Sequence, residues 1–227
     1  MKQKKKKKRR VIAVGVAALV VSGMWWISSG KNKKQILVPA YRVEKIIDGD
    51  TFMTTDKQVV RLAYIDAPDL TRCGGEESAK ALAKLITNRN LYIKTTIKDE
   101  YGRGVALVYN EQGLVSEQML ELGWAYYARG GAEGDSMATA GEKAKKKKLG
   151  IYGEECTQTE NKENPECVIK GNQLYGGDKK YYRFPGCGQY NNTLVQLYLG
   201  DRWFCNEKEA VAAGYIKGSD CFGKKWE

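Results

Sequence analysis

The chain has 227 residues, 42% of them hydrophobic, enough for one good core and a smaller second one. It contains no histidine, which excludes serine–histidine–aspartate hydrolases, histidine-dependent nucleases and nearly every imidazole-bound zinc catalyst. The net charge of +11 is concentrated at one end: of 38 Lys and Arg residues, eleven fall within residues 1–34, where there is no acid, and the other 27 balance 27 acids.

Nucleic-acid affinity in the body of the chain therefore has to come from a local patch rather than from bulk charge. At the N-terminus a lysine- and arginine-rich run leads into the uncharged segment Val11–Gly30, whose apolar part, about 11–28, is just long enough to span a bilayer. Trp25 and Trp26 fall at its outer end, and the positive-inside rule keeps the basic run in the cytoplasm. The expectation is a single-pass membrane protein with its C-terminal part extracytoplasmic. Cleavage near Ser28-Ser29-Gly30 would make it a secreted one.

Beyond a basic tether ending near residue 35, Tyr41–Ile47 reads as a strand, and Asp48-Gly49-Asp50 turns it into a second, Thr51–Thr55. Val59–Ile65 is a third. A proline-containing loop then leads to a helix over Glu76–Thr87, with Ala79, Leu82, Ala83 and Ile86 at helical spacing. Leu91–Ile97 and Gly104–Tyr109 complete five strands. Helices are expected over Val115–Leu122, stopping at Gly123, and over Ser136–Leu149, stopping at Gly150. The class is α+β: five short strands with interleaved helices suit a small closed barrel plus helices, although the pattern leaves the topology open.

Residues 154–170 turn polar and acidic, and 156–170 are read as a linker between a main domain, 36–155, and a small cysteine-containing module, 171–227. In that module Thr193–Leu199 and Arg202–Phe204 read as strands, and Asn206 to Glu209 as a capping-box start of a helix ending at Gly214. Six cysteines, all beyond the apolar segment, favour disulfides over zinc, since no C-x-x-C pair exists. Cys73 with Cys156, and a nested Cys187–Cys205 inside Cys167–Cys221, is the expected pairing.

Three islands carry chemistry: Asp48-Gly49-Asp50-Thr51, the run Arg61–Asp69, and Asp99-Glu100-Tyr101-Gly102-Arg103-Gly104. Clustered carboxylates hold a hard cation, and arginines grip phosphate with a planar fork that lysine lacks. Together these make a toolkit for metal-assisted phosphodiester hydrolysis. Alone, Asp50 would read as a hairpin-turn residue and each arginine as half of a surface ion pair.

The order and spacing of the islands resemble the thermonuclease (staphylococcal nuclease) family, over about Ala40 to Tyr152. The resemblance implies an OB-type barrel packed against three helices. It also implies a calcium-dependent nuclease cutting DNA, and RNA by the same backbone recognition, with little sequence preference. By similarity, Asp50, Asp66 and the backbone carbonyl of Ala67 bind Ca2+, with Asp48 behind them, and Arg61 and Arg103 clamp the phosphate. Asp69 stands where the family has a water-activating glutamate, one methylene longer; Glu76 and Glu77 are the alternatives. Tyr101 matches a tyrosine near the nucleotide, and Tyr127, with Tyr126, lies near the family's stacking tyrosines. The lysines at 143 and 145–148 read as a solvated helix face. The tail faintly resembles cysteine- and aromatic-rich modules that follow exported thermonuclease domains. No protein partner is legible, and a monomer is expected. The rival expectation is a catalytically weak module of the same fold that binds nucleic acid or a partner.

Overall fold

The structure, a computed structural model, describes residues 40–128, 134–173 and 179–226. The expected membrane segment at 11–28 lies outside them. Among the described residues no helix is long and apolar enough to cross a membrane.

The first strands follow the alternation of the sequence: β1 (Val43–Ile46), β2 (Thr51–Thr54) and β3 (Val59–Leu62) form an antiparallel meander. The expected strand Val59–Ile65 is broken. Tyr64 takes a left-handed conformation (φ 67°), and the chain restarts as β4 (Ile65–Asp66), which leaves the sheet. After α1 (Gly75–Ile86), β5 (Tyr92–Lys98) and β6 (Gly104–Asn110) complete a sheet of order β1-β2-β3-β6-β5, in which only β3 and β6 run parallel. The short β7 (Gly113–Leu114) pairs with β6 and leads into α2 (Val115–Glu121). Then β8 (Tyr126–Tyr127) pairs with the detached β4, and α3 (Gly134–Lys146) follows.

The closed barrel expected from the sequence is not shown. β1 and β5, at opposite ends of the sheet path, share no ladder, and only an isolated bridge joins Tyr41 to Leu91. Phe52, Val60, Leu62 and Ile65 from the strands meet Leu82 and Ile86 of α1, Met119 and Leu120 of α2, and Met137 of α3 in one core. The buried face of α1 is turned from the expected one. Ser78 and Ala81 lie inside with Leu82 and Ile86, while Ala79 and Ala83 are only half-buried. Ser78 is tolerated there because its Oγ donates to the Trp124 carbonyl at 2.6 Å.

Within 156–170, β9 (Thr157–Gln158) already pairs with the later strand β12 (Val195–Gln196). Between them β10 (Ile169–Gln173) and β11 (Lys180–Arg183) form a hairpin that periodicity did not reveal. β13 (Arg202–Phe204) and β14 (Ile216–Lys217) flank it, giving the order β13-β10-β11-β14. The expected strand Thr193–Leu199 keeps extended form only at β12 and becomes a 3-10 turn over Leu197–Leu199. The capping prediction for α4 (Glu207–Ala212) holds: Asn206 Oδ1 accepts the Glu209 N–H at 3.0 Å.

Cys73–Cys156 is a disulfide, as expected, but the nested pairs are corrected to Cys167–Cys205 and Cys187–Cys221. Strand register decides this. The antiparallel β10–β13 ladder, with Ile169 opposite Phe204, brings Cys167 beside Cys205. The parallel β11–β14 pair, with Tyr182 opposite Lys217, runs Cys187 out towards Cys221. A carboxylate oxygen of Asp220 lies within 4.8 Å of both sulfurs of the second pair, but their disulfide leaves no thiolate for a metal.

Candidate active site

The Asp48–Asp50 turn is closed from within. Asp48 Oδ1 accepts the Asp50 N–H at 3.0 Å, and the N–H groups of Ile47 and Asp48 donate to the Thr51 carbonyl. The turn lies so tight on α1 that a Cβ on Gly49 would stand 2.7 Å from the Ala67 Cβ and closer still to Ser78. This contact presses the turn against the loop after β4 and brings two sequence islands together.

Asp50 is 1% exposed. Its Oδ2 accepts the Ala67 N–H at 2.8 Å, and its Oδ1 accepts both the Thr51 hydroxyl at 2.8 Å and Nη1 of Arg61. Arg61 sits opposite Thr51 in the β2–β3 ladder, on the face away from buried Val60 and Leu62. Its Nη2 donates to Asp66 Oδ1, so one guanidinium bridges two carboxylates. Asp66 reaches this place because β4 breaks from β3 at Tyr64 and pairs with β8, opposite Tyr126.

The electrostatics follow from this geometry. Burial, reinforced by the nearby Asp48 charge and opposed by Arg61, pushes the Asp50 carboxyl up to about 7. Burial works against the Arg61 charge, but the Asp50 and Asp66 carboxylates outweigh it and hold that guanidinium above its ordinary value. Asp50 and Asp66 on one arginine, with the Asp48 charge nearby, leave a net negative, all-oxygen environment. That chemistry fits a hard divalent cation, which would also relieve the cost of burying an ionised Asp50.

Asp48, Asp50, Arg61, Asp66 and Ala67 are thus gathered at one place, while the other sequence candidates are engaged by neighbours outside this group. The parallel β3–β6 register sets Arg61 opposite Val105, so Arg103 enters the neighbouring strand two residues earlier. Its Nε donates to Asp99 Oδ2 at 2.7 Å, and its guanidinium carbon lies 5.2 Å from the centre of the exposed Tyr101 ring. Asp69 is on the loop beginning at Ala67, but its carboxylate, 68% exposed, pairs with Arg72 at 3.0 Å. Glu76 and Glu77 pair with Lys80 along α1. Tyr127 packs half-buried against the core.

Sequence reasoning gave no individual role to three contributors. Thr51 stands in the first island, yet its hydroxyl bond to Asp50 was not foreseen, and Ser78 looked like an ordinary helix residue, although a serine on an apolar helix face signals a specific hydrogen bond. Arg72, three residues after Asp69, was the available sign of a local ion pair.

The chain matches the family described as "Staphylococcal nuclease homologue" over residues 59–154. It is 32% identical over 117 residues to an "Uncharacterized endonuclease" of Haemophilus influenzae, a match covering 50% of this chain and 66% of that protein. It is 30% identical over 156 residues to "Protein ParB" of Escherichia coli, covering 63% and 82%. A "Probable endonuclease LCL3" of Phaeosphaeria nodorum is 40% identical over 109 residues, covering 41% and 37%. The chain therefore spans just under two thirds of the Haemophilus relative's length and over a third of the Phaeosphaeria one's.

Proposed function

The chain belongs to the staphylococcal nuclease homologue family, whose nucleic-acid-hydrolysing nuclease domain it carries, and we propose that it is a calcium-dependent, extracytoplasmic nuclease. Its substrate is DNA, and RNA by the same backbone recognition, with little sequence preference. The observation that carries the reading is the single guanidinium of Arg61 held between Asp50 and Asp66.

Asp50, Asp66 and the Ala67 carbonyl would hold Ca2+, which when bound supplies positive charge beside the phosphate under attack. Arg61, whose Nη1 and Nη2 donate to Asp50 and Asp66, would turn its fork to the same phosphate once the cation takes those carboxylates. Arg103 supplies a second fork from the adjoining strand once a phosphate competes with Asp99 for it. Asp69 takes the proton of the attacking water, and the exposed Tyr101 ring gives a base or sugar a surface to lie on. None of these contacts reads a base edge, which is why sequence preference is expected to be weak.

The basic run and apolar segment near the N-terminus support a membrane-anchored or exported protein. Three disulfides suit an oxidising compartment. A second reading, a weakly catalytic binding module, is favoured by one observation: Arg103 and Asp69 are each engaged by a neighbour, Asp99 and Arg72. The decisive assay incubates the full chain with linear DNA in calcium and then in excess chelator. Calcium-dependent fragments are expected. Undiminished cutting in chelator, or DNA retention without cutting, would overturn the nuclease mechanism.

A further inference from the structure

The turn after residues 197–199 lies 127 residues along the chain from Arg72, yet it reaches the loop that carries Asp69. Arg72 Nη1 donates to the Leu199 carbonyl at 3.0 Å, while Nε of the same guanidinium faces Asp69 Oδ2 at 3.0 Å. The backbone closes the same unit: Arg72 N–H donates to the Asp69 carbonyl at 2.8 Å, and Gly75 N–H to the Arg72 carbonyl at 3.0 Å. The next residue, Cys73, is bonded to Cys156, whose carbonyl accepts the Leu197 N–H at 2.9 Å. The turn is braced from its own side as well. Gln173 of β10 donates its side-chain amide to the Gly200 carbonyl at 2.7 Å and its N–H to Asp201 at 2.8 Å.

We propose that Arg72 is a positioning residue for Asp69, and that the C-terminal module takes part in cleavage by fixing Arg72 through the Leu199 carbonyl. This rests on the reading of Asp69 as the water-activating base. An ion pair between two exposed side chains wanders among rotamers and fixes little. Arg72 differs, because its second arm is held by a carbonyl of a braced turn and its neighbour is cross-linked. The Asp69 carboxylate is thereby restricted before substrate arrives, which is where a base one methylene short of its family counterpart has most to gain.

The test uses the full chain with Arg72→Ala, Arg72→Lys, Gly200→Ala and the Arg72→Ala/Gly200→Ala double variant. Gly200 is left-handed (φ 89°), and a Cβ there would stand 2.5 Å from Gln173 Nε2 and 3.5 Å from the Arg72 guanidinium carbon, so alanine strains the turn and disturbs its brace on Arg72. Steady-state cleavage is read as kcat and KM, and amide hydrogen exchange is followed over residues 69–75 without substrate. Arg72→Ala is expected to lose about tenfold in kcat with KM within about twofold. Lysine restores only part, and the double variant matches Arg72→Ala alone because the path is shared. Exchange quickens in Arg72→Ala and in Gly200→Ala alike. Additive losses, unchanged exchange, or a raised KM at constant kcat would overturn the proposal, the last because Arg72 would then be touching substrate. A parent that cuts nothing in calcium defeats the nuclease reading itself. Exchange then decides alone: quickened, it leaves the link from module to loop standing, and unchanged, it removes it.

Discussion

A Cβ on Gly49 would lie 2.0 Å from the Oγ of Ser78, so the turn between β1 and β2 and the first turns of α1 are in backbone-to-side-chain contact. Ser78 cannot swing aside cheaply, because its hydroxyl is committed to the Trp124 carbonyl. Gly49→Ala is therefore expected to destabilise the fold by about 1–3 kcal/mol, the usual cost of overpacking. It should also move Asp50 relative to Ala67, so that calcium affinity falls with stability. Urea unfolding of the metal-free protein and a calcium titration check the two effects separately.

Replacing Arg61 by lysine keeps a charge but loses the fork that spans Asp50 and Asp66. Turnover is expected to fall on the order of 10²-fold, the scale for one lost transition-state donor. Arg103→Lys should act similarly if Arg103 leaves Asp99 for the phosphate. Rates within about threefold of the parent for either variant would remove that residue from the phosphate clamp.

Asp69→Glu lengthens the carboxylate by one methylene and is expected to raise kcat, whereas Asp69→Ala should fall well below the parent with DNA binding retained. Single-turnover cleavage separates this from any change in binding. If alanine is harmless at 69 while Glu76→Ala or Glu77→Ala is not, the base belongs to the start of α1.

The stability of the metal-free protein should depend on pH through Asp50. Its folded-state carboxyl is raised to about 7 from an ordinary 3.8, so between those values the folded state binds the extra proton. Stability from this group is full below about pH 4 and declines as pH rises towards 7. Thermal melts in chelator should show that decline, and Asp50→Asn should flatten it. Calcium, which favours the ionised carboxyl, should restore stability at pH 7.

Mass mapping of the protein should find Cys73 joined to Cys156, Cys167 to Cys205 and Cys187 to Cys221, with no free thiol. Reduction of the first bond opens a loop of 83 residues, a stability loss of about 4.5 kcal/mol in the chain-entropy picture. Bound zinc in stoichiometric amount, or the nested pairs Cys187–Cys205 and Cys167–Cys221, would contradict this geometry.

Much of the carboxylate–arginine cluster is legible along the chain because its signals are local. Asp48-Gly49-Asp50 is a turn by residue type, Arg61 follows on the next strand of a short hairpin, and its pairing with Thr51 needs only that hairpin's register. The helices over α1 and α2 were equally readable from periodicity and terminal glycines. The inward face of α1 was not, because a serine satisfied by a carbonyl 46 residues away carries no hydrophobic signal.

By itself, the sequence determined the residue types of a histidine-free cluster of carboxylates and arginine, the turn that seats Asp50 and the alternation of the first strands. Only the tertiary structure decided that Tyr64 breaks a strand to deliver Asp66, that the cysteines pair across strand ladders, and that Leu199 meets Arg72. Turn chemistry and side-chain periodicity act over a few residues and leave their mark in the order of the chain. Ladder register and the packing of the C-terminal strands and turns on the rest of the chain depend on which distant surfaces exclude water together, and no short run of residues records that choice.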